Sequence, residues 1–110
     1  MTKYAMLFSY TPDVWRNMLK SPQDRAGAVR ALLETSGGTL ESLYFMFGER
    51  DGLVICDVPD ADSMAAISIA VSSSGSFQHV ETHELIEPER LVSVLGKAGE
   101  AAGLYRAPGT

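Results

Sequence analysis

His79 and His83 lie four residues apart with Glu81 between them. Imidazole and carboxylate groups bind divalent metals and move protons near neutral pH. The run from Ser76 to Ile86 alternates loosely and reads as a strand, which turns all three side chains to one face. On a strand, residues i and i+4 are roughly 13 Å apart, too far for one ion with bonds of about 2.1 Å. No metal centre is therefore expected, and no cofactor. His79 stands as a candidate acid or base beside a pocket; otherwise both histidines are ordinary polar strand residues.

A second charged pair, Arg50 and Asp51, lies within Gly48-Glu49-Arg50-Asp51-Gly52. Apolar runs flank it, Leu40 to Phe47 and Leu53 to Val58. Asp-Gly between such runs predicts a hairpin, because glycine takes a positive φ without steric cost. Both charges then sit at the hairpin tip, as solvated turn residues or as contacts to a pocket or interface. Asp51 joins His79 as a candidate for acid–base chemistry, and the phenol of Tyr10 is a third. Tyr10, Trp15, Tyr44 and Phe77, together with Arg50, are the candidates for lining a ligand site. Tyr10 and Trp15 flank the turn after the first strand, where a cleft between sheet and helices can form.

Other features carry less chemistry. Cys56, the one cysteine, lies inside an apolar strand with no flanking base to activate it. Asp60 and Asp62 suit a helix start. The run Ser72-Ser73-Ser74-Gly75-Ser76 has neither the lysine nor the glycine spacing of a phosphate loop.

These residues need a scaffold. Lys3 to Tyr10 reads as a strand, with Tyr4, Met6, Phe8 and Tyr10 on one face and Ala5, Leu7 and Ser9 on the other. Thr11-Pro12 then opens a short helix bearing Val14, Trp15, Met18 and Leu19. Ser21-Pro22, with Asp24 three residues after Ser21, opens a second, striped by Ala26, Val29, Leu32 and Leu33 and stopped by Gly37-Gly38. The hairpin follows, then a helix capped by Asp60 that carries Met64, Ile67 and Val71. After the fourth strand, Glu87-Pro88 starts a last helix with Leu91, Val94, Leu95 and Ala98 on one face. The order β-α-β-β-α-β plus a terminal helix predicts an α+β, ferredoxin-like antiparallel sheet. One domain over residues 1–98 and a tail of small residues over 99–110 are expected.

Both strand faces carry apolar residues. Leu43, Phe45 and Phe47 oppose Leu40, Tyr44 and Met46; Leu53 and Ile55 oppose Val54, Cys56 and Val58. Helices cover one face, and a soluble monomer seldom leaves a large apolar face bare. The cover is either the same face of a second copy, giving a dimeric α/β barrel, or the terminal helix folded back. Ser63 to Ser74 is also free of charge, which suits a covered helix or the wall of a pocket.

With 110 residues and a net charge of −5, the chain is a single acidic domain. Its nine basic residues form no stripe, which argues against nucleic acid as a partner. No run approaches the roughly 18 apolar residues of a membrane span, and a cytoplasmic location is expected.

The order of short motifs resembles the GYD domain family. They are Tyr4-x-x-Leu7-Phe8-Ser9-Tyr10-Thr11, Gly37-Gly38-x-Leu40, Gly48-Glu49-x-Asp51, and the run from Ser74-Gly75 to Val80-x-Thr82. The likeness spans roughly Lys3 to Leu95. It implies a dimeric α/β barrel and no established activity. The family takes its name from a Gly-x-Tyr-Asp hairpin, and Arg50 stands at the tyrosine position. Three functions are compatible with these residues. The first is a module binding a small apolar or aromatic metabolite. The second is a cofactor-free monooxygenase or isomerase, and the third a purely structural oligomerisation module.

Overall fold

The computed structural model describes all residues from Met1 to Thr110. Strand β1 (Thr2–Tyr10) leads into helix α1 (Pro12–Lys20), where the Thr11 side chain accepts from Val14 N and Pro12 occupies the first turn. Helix α2 (Ala26–Glu34) starts later than Ser21-Pro22 predicted. Asp24 Oδ1 accepts from Ala26 N at 2.9 Å, so the acid caps from two residues before the helix rather than closing a box with Ser21. Strands β2 (Thr39–Phe45) and β3 (Gly52–Val58) form the hairpin, followed by α3 (Ala61–Ser72), β4 (Phe77–Glu84) and α4 (Pro88–Leu104). Asp60 caps α3 by accepting from Ser63 N at 2.8 Å, which lowers the pKa of its carboxyl.

The four strands form one antiparallel sheet in the order β2-β3-β1-β4, the ferredoxin-like arrangement. Tyr4, Met6, Phe8 and Tyr10 of β1 and Val54, Cys56 and Val58 of β3 face α2 and α3 and form the core with Leu33, Met64 and Ile67. Cys56 is fully enclosed, and burial pushes its thiol pKa up, which leaves it inert at neutral pH.

The second sheet face differs from the alternation read in the sequence. The β2–β3 register shifts between Leu40 and Ser42, so Leu40 and Leu43 both lie on the helix side. One extra residue reverses every later side chain of a strand. The open face therefore keeps a narrower apolar strip, Ala5, Leu7, Leu53 and Ile55, with Tyr44 exposed beside it. Charged pairs edge the strip: Lys3 Nζ meets Glu41 at 3.0 Å and Asp57 at 3.1 Å.

Helix α4 does not fold back over that face. None of its residues is buried, and Leu91, Val92 and Leu95 are exposed. It runs on through Gly99 to Leu104, where a tail was expected, because Ala98, Ala101 and Ala102 are strong helix formers. Its projection accounts for a radius of gyration of 17.7 Å, against about 13 Å for a compact domain of about 100 residues.

The hairpin is also longer than Asp-Gly suggested. Residues 46–51 form the loop, with Met46 N donating to Asp51 O at 2.8 Å. Gly52 lies inside β3 without a positive φ; that conformation falls to Gly48. Glycine is needed at position 52 for room, because a Cβ there would enter the ring of Phe8 directly opposite. That ring is held by Tyr10, Phe45 and Phe77 at centroid distances of 5.2, 5.9 and 5.5 Å and has little freedom to move. Gly52→Ala is expected to destabilise the fold by about 1–3 kcal/mol, the usual cost of overpacking. Urea unfolding measures it, and the loss shrinks when Phe8 is replaced by Leu in the same chain.

Candidate functional site

The helices do not fill the sheet face they cover. Helix α2 packs on β2 and α3 on β4. Between them, over β1 and β3, lies a cavity of about 570 Å³. Its floor is Met6, Phe8, Val54 and Cys56, and its walls are Val29 and Leu32 of α2 facing Met64, Ile67 and Val71 of α3. Its inner end is closed by buried Leu33, Cys56 and Met64. The mouth lies by the C-terminal end of β1, among Asn17, Ser21, Gln23 and Arg25 before α2 and Ser74 and Ser76 before β4. Small-molecule pockets usually span about 300–1,000 Å³ with mainly apolar walls and few polar groups, as this one has.

Aromatic rings shape the region near the mouth. Tyr10 and Phe77 line the cavity with centroids 5.1 Å apart. Trp15 lies behind them, edge-on to Tyr10 at 5.4 Å, and takes no part in the lining. Its indole Nε1 donates to Asp51 Oδ2 at 3.0 Å, and Tyr10 N donates to the same oxygen at 2.9 Å. Asp51 N in turn donates to Phe8 O at 2.8 Å. The carboxylate thus joins the hairpin to β1 and α1, a structural task that also fixes one side of the cavity mouth.

The remaining candidates lie on the opposite side of the sheet. Residues 79, 81 and 83 share the open face, as their spacing predicted. Glu81 is its hub: Oε1 meets His79 Nε2 at 2.9 Å and Arg50 Nη2 at 2.6 Å, and Oε2 meets His83 Nε2 at 3.1 Å. The hydrogen bonds from His83, Arg50 and His79, in that order of effect, bring its pKa down from 4.5 to about 2. Each histidine reaches the carboxylate from its own side, and no group of three or more metal-ligating side chains forms a cation site. His79, Arg50, Asp51 and Ser9 border a polar cleft of about 420 Å³ beside the hairpin loop. An imidazole held by a carboxylate can move a proton, and a guanidinium beside it can hold an anion. Tyr44 is exposed on this side and lines neither space.

One family model, the GYD domain, matches residues 4–95. The chain belongs to the GYD domain family. No curated protein matches it. Among solved structures, one titled "crystal structure of FFRP-DM1" superposes with a TM-score of 0.50 at 15% identity, covering 78% of this chain and 100% of that one. At that identity the likeness concerns the fold alone. In this GYD domain, Asp51 holds elements together and Arg50 reaches across the open face to Glu81.

Glu81 had a readable signal, since period-two spacing sets it between the histidines on one face. Its bond to Arg50 crosses 31 residues of sequence and was not readable. The cavity was legible only in part: the charge-free run of α3 and the turn after β1 marked its borders, but apolar residues around a hollow look like apolar residues in a filled core.

A depressed carboxylate pKa adds stability above its unfolded value and loses it as the pH falls through its folded value. Glu81 is therefore expected to contribute fully above about pH 4.5 and to lose that contribution towards about pH 2. Carbon-detected NMR titration should place its midpoint near 2, and Arg50→Gln should move it upward. A midpoint at the ordinary glutamate value in the wild type would contradict the hub.

Proposed function

We propose that this GYD domain binds a small apolar or aromatic molecule in the cavity between the sheet and helices α2 and α3. The observation that carries this is the cavity itself. The space is open at its mouth and lined mainly by apolar side chains, so water entering it wets walls of valine, leucine and methionine. An apolar ligand takes those walls out of water.

The domain works as a homodimer in this reading, with two open sheet faces packed together as a dimeric α/β barrel. The strip of Leu7, Leu53 and Ile55 supports it, as does Phe47, fully exposed at the hairpin tip. The pairing of Lys3 with Glu41 and Asp57, and of Arg50 with Glu81, lowers the cost of desolvating those charges. A chain with a single, buried cysteine and no disulfide suits the cytoplasm, and no helix is long and apolar enough to cross a membrane.

Val54→Phe projects a ring from the cavity floor. Isothermal titration with phenylbutanol as the probe should show binding to the wild type and at least tenfold weaker binding to the variant, with circular dichroism unchanged. Equal affinity of the two proteins would place the ligand elsewhere. Sedimentation equilibrium should give a dimer at micromolar concentration and a monomer for Leu7→Glu; a monomeric wild type would remove the barrel.

A further inference from the structure

Arg25 is the one charged residue on the cavity wall, and no aspartate or glutamate lines the space. The chain carries 14 acidic residues against nine basic ones, so an acid-free surface with a single cation runs against its composition. Arg25 also has no carboxylate partner. Of the six arginines, Arg16, Arg50 and Arg90 pair with Asp13, Glu81 and Glu84; of the three that do not, Arg30 and Arg106 are exposed and Arg25 alone is partly buried. Arg25 instead donates to the amide oxygen of Gln23 at 2.9 Å and forms no ion pair. The neighbouring carboxylate, Asp24, is turned to Ala26 N. Arg25, partly buried as a residue, therefore presents its guanidinium at the mouth with charge and donors to spare, among the neutral polar groups of Asn17, Ser21 and Gln23.

The opposite end of the cavity is wholly apolar, closed by Leu33, Cys56 and Met64. A ligand with one polar end has a single favourable direction in such a space. Its apolar or aromatic body lies inward over Met6 and Val54, past the rings of Tyr10 and Phe77. Its head stays at the mouth. Guanidinium binds planar anions in a fork, and hydrogen bonds to charged groups are the stronger kind.

We infer that the ligand is an amphipathic monoanion, an apolar or aromatic body ending in a carboxylate-like head, and that Arg25 is the residue selecting the head. The inference rests on the cavity being the binding site and adds the class of molecule it takes.

Calorimetric titration with phenylbutyrate and phenylbutanol, which share a body and differ in the head, separates the two levels. Wild-type protein should bind phenylbutyrate about tenfold more tightly than phenylbutanol, a ratio equivalent to about 1.4 kcal/mol. Arg25→Gln should lose that preference and keep its affinity for phenylbutanol, which also shows that the variant is folded. Arg25→Lys should retain part of the preference, and added salt should weaken the acid more than the alcohol. Equal affinity of the wild type for both compounds, or a preference that survives Arg25→Gln, would overturn the assignment and leave the cavity as an apolar site. Binding of neither compound would overturn the cavity reading and this inference together.

Discussion

The carboxylate of Asp51 accepts two hydrogen bonds at a point where three elements meet. Its Oδ2 takes the backbone N–H of Tyr10, the last residue of β1, and the indole N–H of Trp15 on α1. Its own backbone N–H donates to Phe8 O, which sets the long hairpin loop over the end of β1. Charge-assisted hydrogen bonds are stronger than neutral ones, and removing the acceptor would leave two part-buried donors unpaired. This one group ties the hairpin loop to the end of β1 and to Trp15 of α1, next to Tyr10 on the rim of the cavity. A chemical role for Asp51 is not needed to explain an acid at this position.

The sheet divides the protein into two environments. On the helix side, rings from Phe8, Tyr10, Phe45 and Phe77 pack tightly near the mouth, and Gly52 makes room for Phe8. Deeper in, helices standing over different strands leave a hollow. On the open side, apolar residues alternate with charged groups that already have partners. The two sides share β1 and β3 but expose different chemistry. For this reason a ligand is placed in the hollow and a second copy against the strip.

Much of the fold was legible in local signals. Thr11-Pro12, Asp60 and Glu87-Pro88 each began a helix where the sequence suggested, because caps depend on residues within a single turn. Features set by distant contacts were less legible. The shift near Glu41 moved Leu40 to the other face, and Gly52 turned out to serve Phe8, 44 residues away in the chain. Of the ligand candidates, Tyr10 and Phe77 reached the cavity, while Trp15 went behind it and Tyr44 and Arg50 to the other face. A residue's type announces what it can bind; its direction depends on registers and bulges that composition does not encode. Arg25, which had no motif around it, became notable only once the walls of the cavity were known.

The central claim is that the hollow between α2 and α3 takes an apolar guest. Anomalous diffraction from crystals soaked in bromobenzene tests it directly. The account predicts a bromine peak between Val29 and Val71 above Val54, with the helices still apart. Helices closed against each other, with no bromine in the core, would contradict it.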